Sequence, residues 1–353
     1  MPRKKAGPFG KVPAETMEEV VYRNLGAPRT EVLLGPRKGL DNAVVSLRGG
    51  EVLILTADPV SMIPGLGAKT SAWLSVHLIA SDYTTSGAKP QFATFTFNFP
   101  PEMGTSNRES YLEEVGRACA ELGISIVAGH TGSYPGASLT VIGGGTMFGR
   151  SREGAFVDPS MARKGDAILM TKGAAIEATA SLANSFPRYT TEKVGSPLWR
   201  KARGLVSSCS TVKDALAAAS VGLRGVGVSS MHDATEGGIL GALEEMASAS
   251  GRSFEVEPSE IPVLPEAQAV CSAFGLDPLR TMGEGSLLLT CLPAKAGELR
   301  RKLSRGGIPV AEIGTVGEGH GLWLSGRRGR RRFEPEPDGY WAAYDRASRM
   351  RAH

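Results

Sequence analysis

The residues best suited to chemistry lie in two short strings that set an acidic residue close to glycines. One string is Met-His-Asp-Ala-Thr-Glu-Gly-Gly at residues 231–238, and the other is Gly-Leu-Asp-Asn-Ala at residues 39–43. Glycine lets backbone N–H groups approach a phosphate, and a carboxylate can hold the cation that accompanies the phosphate. The two strings together predict an enzyme that uses ATP, with Asp233 as a candidate catalytic residue.

Three aspartates of the first half form a candidate metal site. Asp41 precedes a predicted strand, Asp58 ends the next predicted strand, and Asp82 lies late in a predicted helix. Mg²⁺ prefers oxygen ligands and usually keeps several waters, so two or three carboxylates with phosphates would satisfy it. Taken singly, Asp41 and Asp58 are better explained as caps or turn formers. Their placement at successive strand ends favours a metal site.

Two glycine-rich loops could contact phosphate. Residues 65–70, Gly-Leu-Gly-Ala-Lys-Thr, open a predicted helix and lack the Walker A spacing, but Lys69 could still add a positive charge. Residues 128–132, Ala-Gly-His-Thr-Gly, follow a predicted strand, and His130 could contact phosphate, ligate a metal or move protons. The alternatives are an ordinary connection at 65–70 and a capping role for His130. His77, among apolar neighbours, is expected to be a core residue.

The predicted elements interleave strands and helices in both halves, which indicates a two-domain α/β or α+β protein. Helical spacing predicts helices over residues 13–25, 71–86, 109–122 and 208–219. β-rich runs predict strands over residues 43–47, 52–57, 92–97 and 124–128. The predicted division is a helical extension at 1–30, a first domain at 31–152, a second domain at 160–320 and a basic extension at 321–353.

The composition is that of an ordinary globular protein. The 353 residues are 41% hydrophobic and 22% charged, and no apolar run approaches the ~20 residues that span a bilayer. No apolar signal core follows the basic start of the chain. The four cysteines show no Cys-x-x-Cys spacing and are expected to be reduced and mostly buried. These features predict a cytoplasmic protein without membrane contact.

The formal charge of +4 is unevenly distributed along the chain. Lysines and arginines at 3–5 and 327–332 contribute +8, which leaves about −4 for the rest. A mildly acidic body argues against nucleic acid as a partner. The arginine-rich run at 327–332 could dock a polyphosphate or an RNA backbone, but the lack of interleaved aromatics favours a solvated tail.

These residues together resemble the superfamily of aminoimidazole ribonucleotide (AIR) synthetase, selenophosphate synthetase, thiamine-monophosphate kinase and the hydrogenase maturation factor HypE. The resemblance covers residues 30–320. The string at 231–238 is similar to the HypE pattern Met-x-Asp-x-Thr-x-Gly-Gly. Ser-Asp at 81–82 followed by Gly-Ala-Lys-Pro at 87–90 resembles Asn-Asp-x-x-x-x-Gly-Ala-x-Pro. Residues 275–279 and 283–285 resemble the HypE pair Leu-Gly-Leu-Asp-Pro-Leu and Asn-Glu-Gly. Several motifs in the right order identify the chain as a member of this superfamily, most similar to HypE-related proteins.

The resemblance implies a two-domain fold with a twisted sheet in each half and an α/β sandwich as the C-terminal domain. It implies a homodimer whose N-terminal sheets join into a barrel, and ATP with Mg²⁺ bound between the domains. The substrate would be a small molecule, phosphorylated on an amide, carbonyl or phosphate oxygen. By motif, Asp41, Asp58 and Asp82 would hold Mg²⁺, and Asp233 would face the substrate or the metal. The candidate cofactor-binding residues are Thr56, Gly67, Lys69, Gly129, Thr131 and Gly132, with His130 as a further catalytic candidate.

The chain departs from the superfamily pattern in three places. The frequent Asp-Asp pair is Asp-Asn at 41–42, and the usual Gly-Asp-Thr is Gly-His-Thr at 129–131. HypE carries its substrate on a C-terminal cysteine, whereas the last cysteine here is Cys291. The alternatives to an enzyme are therefore a HypE-like nucleotide-binding module without turnover, or a partner protein related to hydrogenase maturation. A nucleic-acid-associated protein that uses the arginine-rich run is a further alternative.

Overall fold

The computed structural model describes residues 10–326 and 329–351. The basic residues at 3–5, and Arg327 and Arg328 of the arginine-rich run, lie outside the described residues. The described chain forms two halves that follow each other in sequence, each built on one β-sheet with helices packed against it.

The first half contains, in chain order, α1 (Ala14–Thr16), β1 (Val32–Leu34), β2 (Ala43–Ser46), β3 (Glu51–Ser61), α2 (Gly67–Thr84), β4 (Phe92–Phe99), α3 (Thr105–Leu122), β5 (Ser125–Ser133) and β6 (Val141–Arg152). The strands form one sheet in the order β1-β2-β3-β6-β4-β5. Strands β4 and β5 pair in parallel, and the other neighbours pair antiparallel.

Helices α2 and α3 cover one face of this sheet. Alternation along β3 buries Val52, Ile54 and Val60 beneath them, since successive strand residues point to opposite faces. The edge strand β5 is exposed along nearly its whole length, including the apolar side chains of Ile126 and Val127. Within the described chain, the first sheet therefore ends in a partly apolar edge without a strand beside it.

The second half contains, in chain order, β7 (Ala167–Thr171), α4 (Ile176–Ser185), α5 (Pro187–Val194), α6 (Ser196–Gly204), α7 (Val212–Ala219), β8 (Val228–Asp233), α8 (Gly238–Ser250), β9 (Ser253–Val256), α9 (Pro265–Phe274), β10 (Leu287–Cys291), α10 (Pro293–Arg305), β11 (Val310–Gly317), β12 (Gly321–Gly326), β13 (Gly329–Arg332) and α11 (Tyr340–Arg351). Its strands form one sheet in the order β13-β12-β9-β11-β7-β10-β8.

The end of the second sheet formed by β7, β10 and the edge strand β8 is buried on both faces. Every residue of β7, β8 and β10 is buried, as expected of strands that are covered from two sides. Ile168 and Met170 pack with α8 on one face, and Leu169 packs with α7 and α10 on the other. Helices α4, α6, α9 and α11 form a separate apolar cluster beside the sheet.

Three segments differ from the sequence-based prediction. Strand β3 continues past Asp58 to Ser61, because beyond Leu55 its one strand neighbour is β6, and a proline is tolerated at such a sheet edge. Strand β5 continues through residues 129–132, which were expected to form a turn. A Cβ atom on Gly129 would lie 2.5 Å from the carbonyl oxygen of Phe95, so this glycine serves close strand approach. The helix expected over 13–25 is reduced to α1 and a π-helical turn, none of whose residues is buried.

The C-terminal stretch, expected as a basic extension from residue 321, is built into the fold. Strands β12 and β13 extend the second sheet, and α11 packs into the cluster with α4 and α9. Arg330 of β13 stacks 3.9 Å from the ring centre of Trp323 and forms an ion pair with Glu255. The described arginines of this run therefore lie on an edge strand rather than in a solvated tail.

The predicted architecture of mixed α/β structure in two sheet-containing halves is confirmed. The four cysteines are free and buried, and His77 is buried against Trp73, both as predicted. Among the described residues, no helix is long and apolar enough to cross a bilayer. The joining of two N-terminal sheets into a barrel stays a prediction.

Candidate functional site

A cleft of about 1060 Å³ lies between the two halves. Its walls come from the N-terminal segment around Lys11, from β3 and α2 of the first half, from the loops before α8 and β10 of the second half, and from α11. The volume is just above the roughly 300–1000 Å³ that is usual for small-molecule sites, so the cleft has room for more than one small ligand.

The loop that carries Asp41 is held by hydrogen bonds to its neighbours. Thr56 of β3 donates its hydroxyl to the carbonyl oxygen of Asp41 at 2.7 Å. The side-chain amide of Asn42 donates to the carbonyl oxygen of Asp82 at 2.8 Å and to the hydroxyl of Thr85 at 2.9 Å. An ionised aspartate could not donate to either group, because its oxygens only accept. Asn42, which stands in place of the second aspartate of the Asp-Asp pattern, therefore joins this loop to the end of α2.

Asp58 and Asp82 face the cleft from a strand and a helix. Asp58 lies on the same face of β3 as Ile54 and Val60, which is the face covered by α2, and Asp82 lies in the last turn of α2. Burial, followed by the charges of Asp233 and Asp58, raises the pKa of Asp82 well above its usual range. Burial also raises the pKa of Asp58. The positive charge of Lys11 lowers the pKa of Asp58 but does not offset the effect of burial.

Asp233 ends β8, directly before the turn into α8. Its side chain is fully buried, and its carboxylate lies close to its own backbone N–H and to the carboxyl group of Asp82 without a well-formed hydrogen bond to either. Burial, followed by the charge of Asp41, raises its pKa to about 7. Ligand atoms of Asp41, His232 and Asp233 lie within 4.8 Å of one another. The buried carboxylate of Asp233, close to Asp41 and Asp82 of the first half, fits a hard divalent cation such as Mg²⁺.

His232 bridges the two halves of the protein, a role that sequence reasoning missed. Its Nδ1 lies 2.7 Å from a carboxylate oxygen of Asp41, and its Nε2 lies 3.0 Å from one of Glu245 on α8. Burial alone would lower the pKa of His232, but the two carboxylates raise it to about 10. Since both ring nitrogens are engaged, His232 orients Asp41 and is not free to bind a metal. The available signal was its place beside Asp233 in the string at 231–238.

Besides Asp345 of α11, four more charged residues that line the cleft were not singled out from the sequence. Lys11 is the one basic residue among the described residues that line the cleft, and its Nζ donates to the hydroxyl of Thr235 at 2.8 Å. Its backbone N–H donates to Glu236 at 2.7 Å. Glu177 and Glu284 are both buried, and burial raises the pKa of Glu177 to about 8. Glu236 and Glu284 lie in the Thr-Glu-Gly-Gly and Gly-Glu-Gly motifs, whereas the sequence around Lys11 and Glu177 gives no comparable signal.

The structure brings together only some of the residues that the sequence selected. Asp41, Thr56, Asp58 and Asp82 line the cleft, and Asp233 adjoins them. The other candidates lie outside the cleft lining, on the first turn of α2 or on the exposed strand β5; they are Gly67, Lys69, Gly129, His130, Thr131 and Gly132. On β5, the Nε2 of His130 lies 2.5 Å from the hydroxyl of Tyr134.

Comparison with known proteins gives matches over both halves of the chain. The N-terminal domain model of AIR synthase related proteins matches residues 39–151, and the C-terminal domain model matches residues 163–325. The carbamoyl dehydratase HypE of Cupriavidus necator is 30% identical over 272 residues, which cover 74% of this chain and 72% of that protein.

Solved structures show the same fold. One structure of a HypE–HypF complex superposes with a TM-score of 0.72 at 20% identity, over 91% of this chain and 99% of that chain. A structure of the hydrogenase maturation protein HypE in complex with ATP superposes with a TM-score of 0.64 at 22% identity, over 94% of this chain and 97% of that chain. The chain therefore belongs to the AIR synthase related superfamily and is close to the HypE proteins.

Proposed function

We propose that this protein is an ATP-dependent enzyme that transfers a phosphoryl group to an oxygen atom of a small molecule. The observation that carries the proposal is the set of carboxylates from both halves in one cleft, with the fully buried carboxylate of Asp233 adjoining them. Such a site suits a divalent cation with a triphosphate, because phosphate oxygens and carboxylates complete the oxygen coordination of the metal. The likeness to a HypE structure that contains ATP supports the same proposal.

In this proposal, the residues divide between metal binding and positioning. Asp41, Asp58 and Asp82 hold Mg²⁺, which when bound neutralises the phosphates, and Asp233 faces the metal from the second half. His232 keeps the Asp41 carboxylate in place through its 2.7 Å contact. Lys11 supplies the positive side chain of the cleft near the phosphates. Lys69 and residues 129–132 are secondary candidates for phosphate contact, since they lie outside the cleft lining of a single chain.

We also propose a homodimer formed along the edge strand β5. Ile126 and Val127 are 46% and 54% exposed on that strand, and Val141, the first residue of β6, is 53% exposed. An open strand with apolar side chains is a liability unless it is covered, and a second copy would cover it. His130 lies on this surface. Light scattering should give twice the 37.1 kDa mass of the chain at micromolar concentration, and a monomer would refute the proposal.

The test of turnover is an ATPase assay with a panel of small metabolites, followed by phosphorus NMR. The proposal expects ADP formation that depends on one class of metabolite, together with a new phosphorus resonance from the phosphorylated product or from released phosphate. ATP binding without ADP formation across the panel would instead favour a nucleotide-binding module without turnover. Absence of ATP binding would contradict the proposed function itself.

A further inference from the structure

Helix α11 presents two different faces. Tyr340, Ala343 and Ala347 are buried in the apolar cluster with α4 and α9. A second stripe of the helix carries four residues at the spacing i, i+3, i+4, i+7, namely Trp341, Tyr344, Asp345 and Ser348. All four line the cleft. The C-terminal helix therefore gives the cleft an aromatic wall with an acidic residue in it.

This wall is fixed to the turn that precedes α8. Asp338, just before α11, accepts hydrogen bonds from the backbone N–H of Gly237 at 2.9 Å and from the hydroxyl of Thr281 at 3.0 Å. The indole N–H of Trp341 donates to Glu236 at 3.0 Å. The position of the Trp341 ring is thus set by the same motif that carries Asp233.

Glu177 lies beside this wall, and no basic side chain of the described residues forms an ion pair with its carboxyl group. It lines the cleft from the first turn of α4, and Ser181, one turn later, bonds to the hydroxyl of Tyr340 at 2.7 Å. Its side chain is 4% exposed, and its Oε2 atom has no hydrogen-bond partner among the described residues. A buried carboxylate oxygen without a donor costs free energy until a ligand supplies that donor.

The geometry points to a second ligand site in the cleft, between Glu177 and the Trp341–Tyr344 face of α11, that binds an aromatic organic cation such as an amidine or a protonated nitrogen heterocycle. The further role of phosphoryl acceptor, for which the ligand must also carry the oxygen atom that is phosphorylated, rests on the proposed function, whereas binding of the cation rests on the site alone. Aromatic faces attract both flat rings and cations, and a carboxylate attracts the cation.

The charges around the site favour a cation over a neutral or anionic ligand. Glu236 and Asp345 add two more carboxylates to the wall, and Asp345 is paired on its outer side with Arg349 at 2.8 Å. The one basic residue among the described lining residues, Lys11, already contacts Thr235 and Glu236. An anionic ring would meet three carboxylates, those of Glu177, Glu236 and Asp345, against the single ammonium group of Lys11.

The test uses benzamidine and benzamide, which have nearly the same shape and differ in charge. Calorimetric titration of the full chain in saturating magnesium should show benzamidine binding about tenfold tighter than benzamide, as expected for a hydrogen bond to a charged group. Cyclohexanecarboxamidine, which has the charge without the aromatic ring, should bind several-fold more weakly than benzamidine. Equal affinities for benzamidine and benzamide in the unmodified protein would overturn the inference without any variant.

Variants then locate the site. Glu177→Gln should bring the benzamidine-to-benzamide ratio close to one, and Trp341→Leu should weaken both ligands. The matched control is Glu266→Gln, because Glu266 is a buried glutamate of α9 that does not line the cleft. If Glu177→Gln and Glu266→Gln both keep the benzamidine-to-benzamide affinity ratio of the unmodified protein, the cation binds elsewhere and the inference is overturned.

Nucleotide binding separates this inference from the proposed function. Benzamidine should bind to the protein when it is saturated with Mg²⁺ and a non-hydrolysable ATP analogue. Competition between the two would assign the aromatic wall to the adenine base and would overturn the second site while supporting the proposed function. Binding of benzamidine with the predicted selectivity to a protein that does not bind ATP would leave the site standing and remove its link to phosphoryl transfer.

Discussion

Replacing His232 by glutamine tests the bridge between the two halves. His232 is 3% exposed and is held between Asp41, which is 7% exposed, and Glu245, which is 21% exposed. Removing one partner of a buried ion pair typically costs about 3–5 kcal/mol, because the remaining charge is left buried. A glutamine amide can still donate one hydrogen bond, worth about 1 kcal/mol. We therefore expect the metal-free variant His232→Gln to lose about 2–4 kcal/mol of unfolding free energy.

The melting temperature gives the expected size of the effect. For 353 residues, an unfolding entropy of about 2.1 cal/mol/K per residue means that 1 kcal/mol shifts the midpoint by about 1.4 °C if both halves unfold together. Scanning calorimetry should thus show a decrease of about 3–6 °C for His232→Gln. Mg²⁺–ATP affinity should also fall, since the Asp41 carboxylate loses the contact that orients it.

His77→Gln is the matched control. His77 is also buried, but its Nδ1 lies 2.9 Å from the hydroxyl of Ser210 and its ring stacks on Trp73, so no buried carboxylate depends on it. We expect a loss of about 1–2 kcal/mol and an unchanged affinity for Mg²⁺–ATP. The account of His232 is refuted if both variants melt alike and both bind Mg²⁺–ATP as the wild type does.

Three further predictions address single groups. Asp82→Asn should weaken Mg²⁺–ATP binding by at least about tenfold. Asp277→Asn should leave the affinity unchanged, because Asp277 is exposed and accepts a backbone hydrogen bond from Leu279. Equal effects of the two variants in a titration would refute the assigned metal site. Lys11→Met should weaken Mg²⁺–ATP binding by about fivefold, a modest effect because the Lys11 side chain is 58% exposed and its charge is screened by solvent. Lys69→Met should have a smaller effect, because Lys69 lies outside the cleft lining. The reverse order would favour Lys69 as the main phosphate contact. Burial lowers the pKa of His77 to about 4. Below pH 6.5, His77 is therefore protonated in the unfolded chain but stays neutral in the folded chain. This difference should lower the free energy of unfolding by about 2 kcal/mol between pH 7 and pH 5. Denaturant titrations of the wild type and His77→Gln should differ by that slope, and parallel profiles would contradict it.

Local sequence patterns could predict the elements that carry the site. The β-rich run at 52–57 and the glycines that follow Asp233 are signals within one short segment; the structure has β3 over the first and the turn between β8 and α8 at the second. The aspartates at 41, 58 and 82 were selected because each stands near the end of a predicted element. The structure gathers them in one cleft, although Asp58 lies within its strand rather than at its end.

The contacts between distant segments could not be predicted in this way. His232 pairs with Asp41 across the two halves of the chain, and no spacing rule links them. Lys11 and Trp341 reach the cleft from the two ends of the described chain. The structural role of a glycine is likewise set by its neighbours in space, so it cannot be read from the sequence alone. Gly129 allows close approach of two strands, whereas Gly237 has a φ of +86° in a turn, and both look alike in sequence.

The most direct test of the central proposal is calorimetric titration of the protein with ATP, first with magnesium and then with an excess of chelator. If the carboxylates of the cleft hold the nucleotide through a divalent cation, ATP should bind with magnesium and binding should disappear on chelation, because bare triphosphate and ionised carboxylates repel each other. ATP affinity that is unchanged by the chelator would contradict the metal-bridged site on which the proposed function rests.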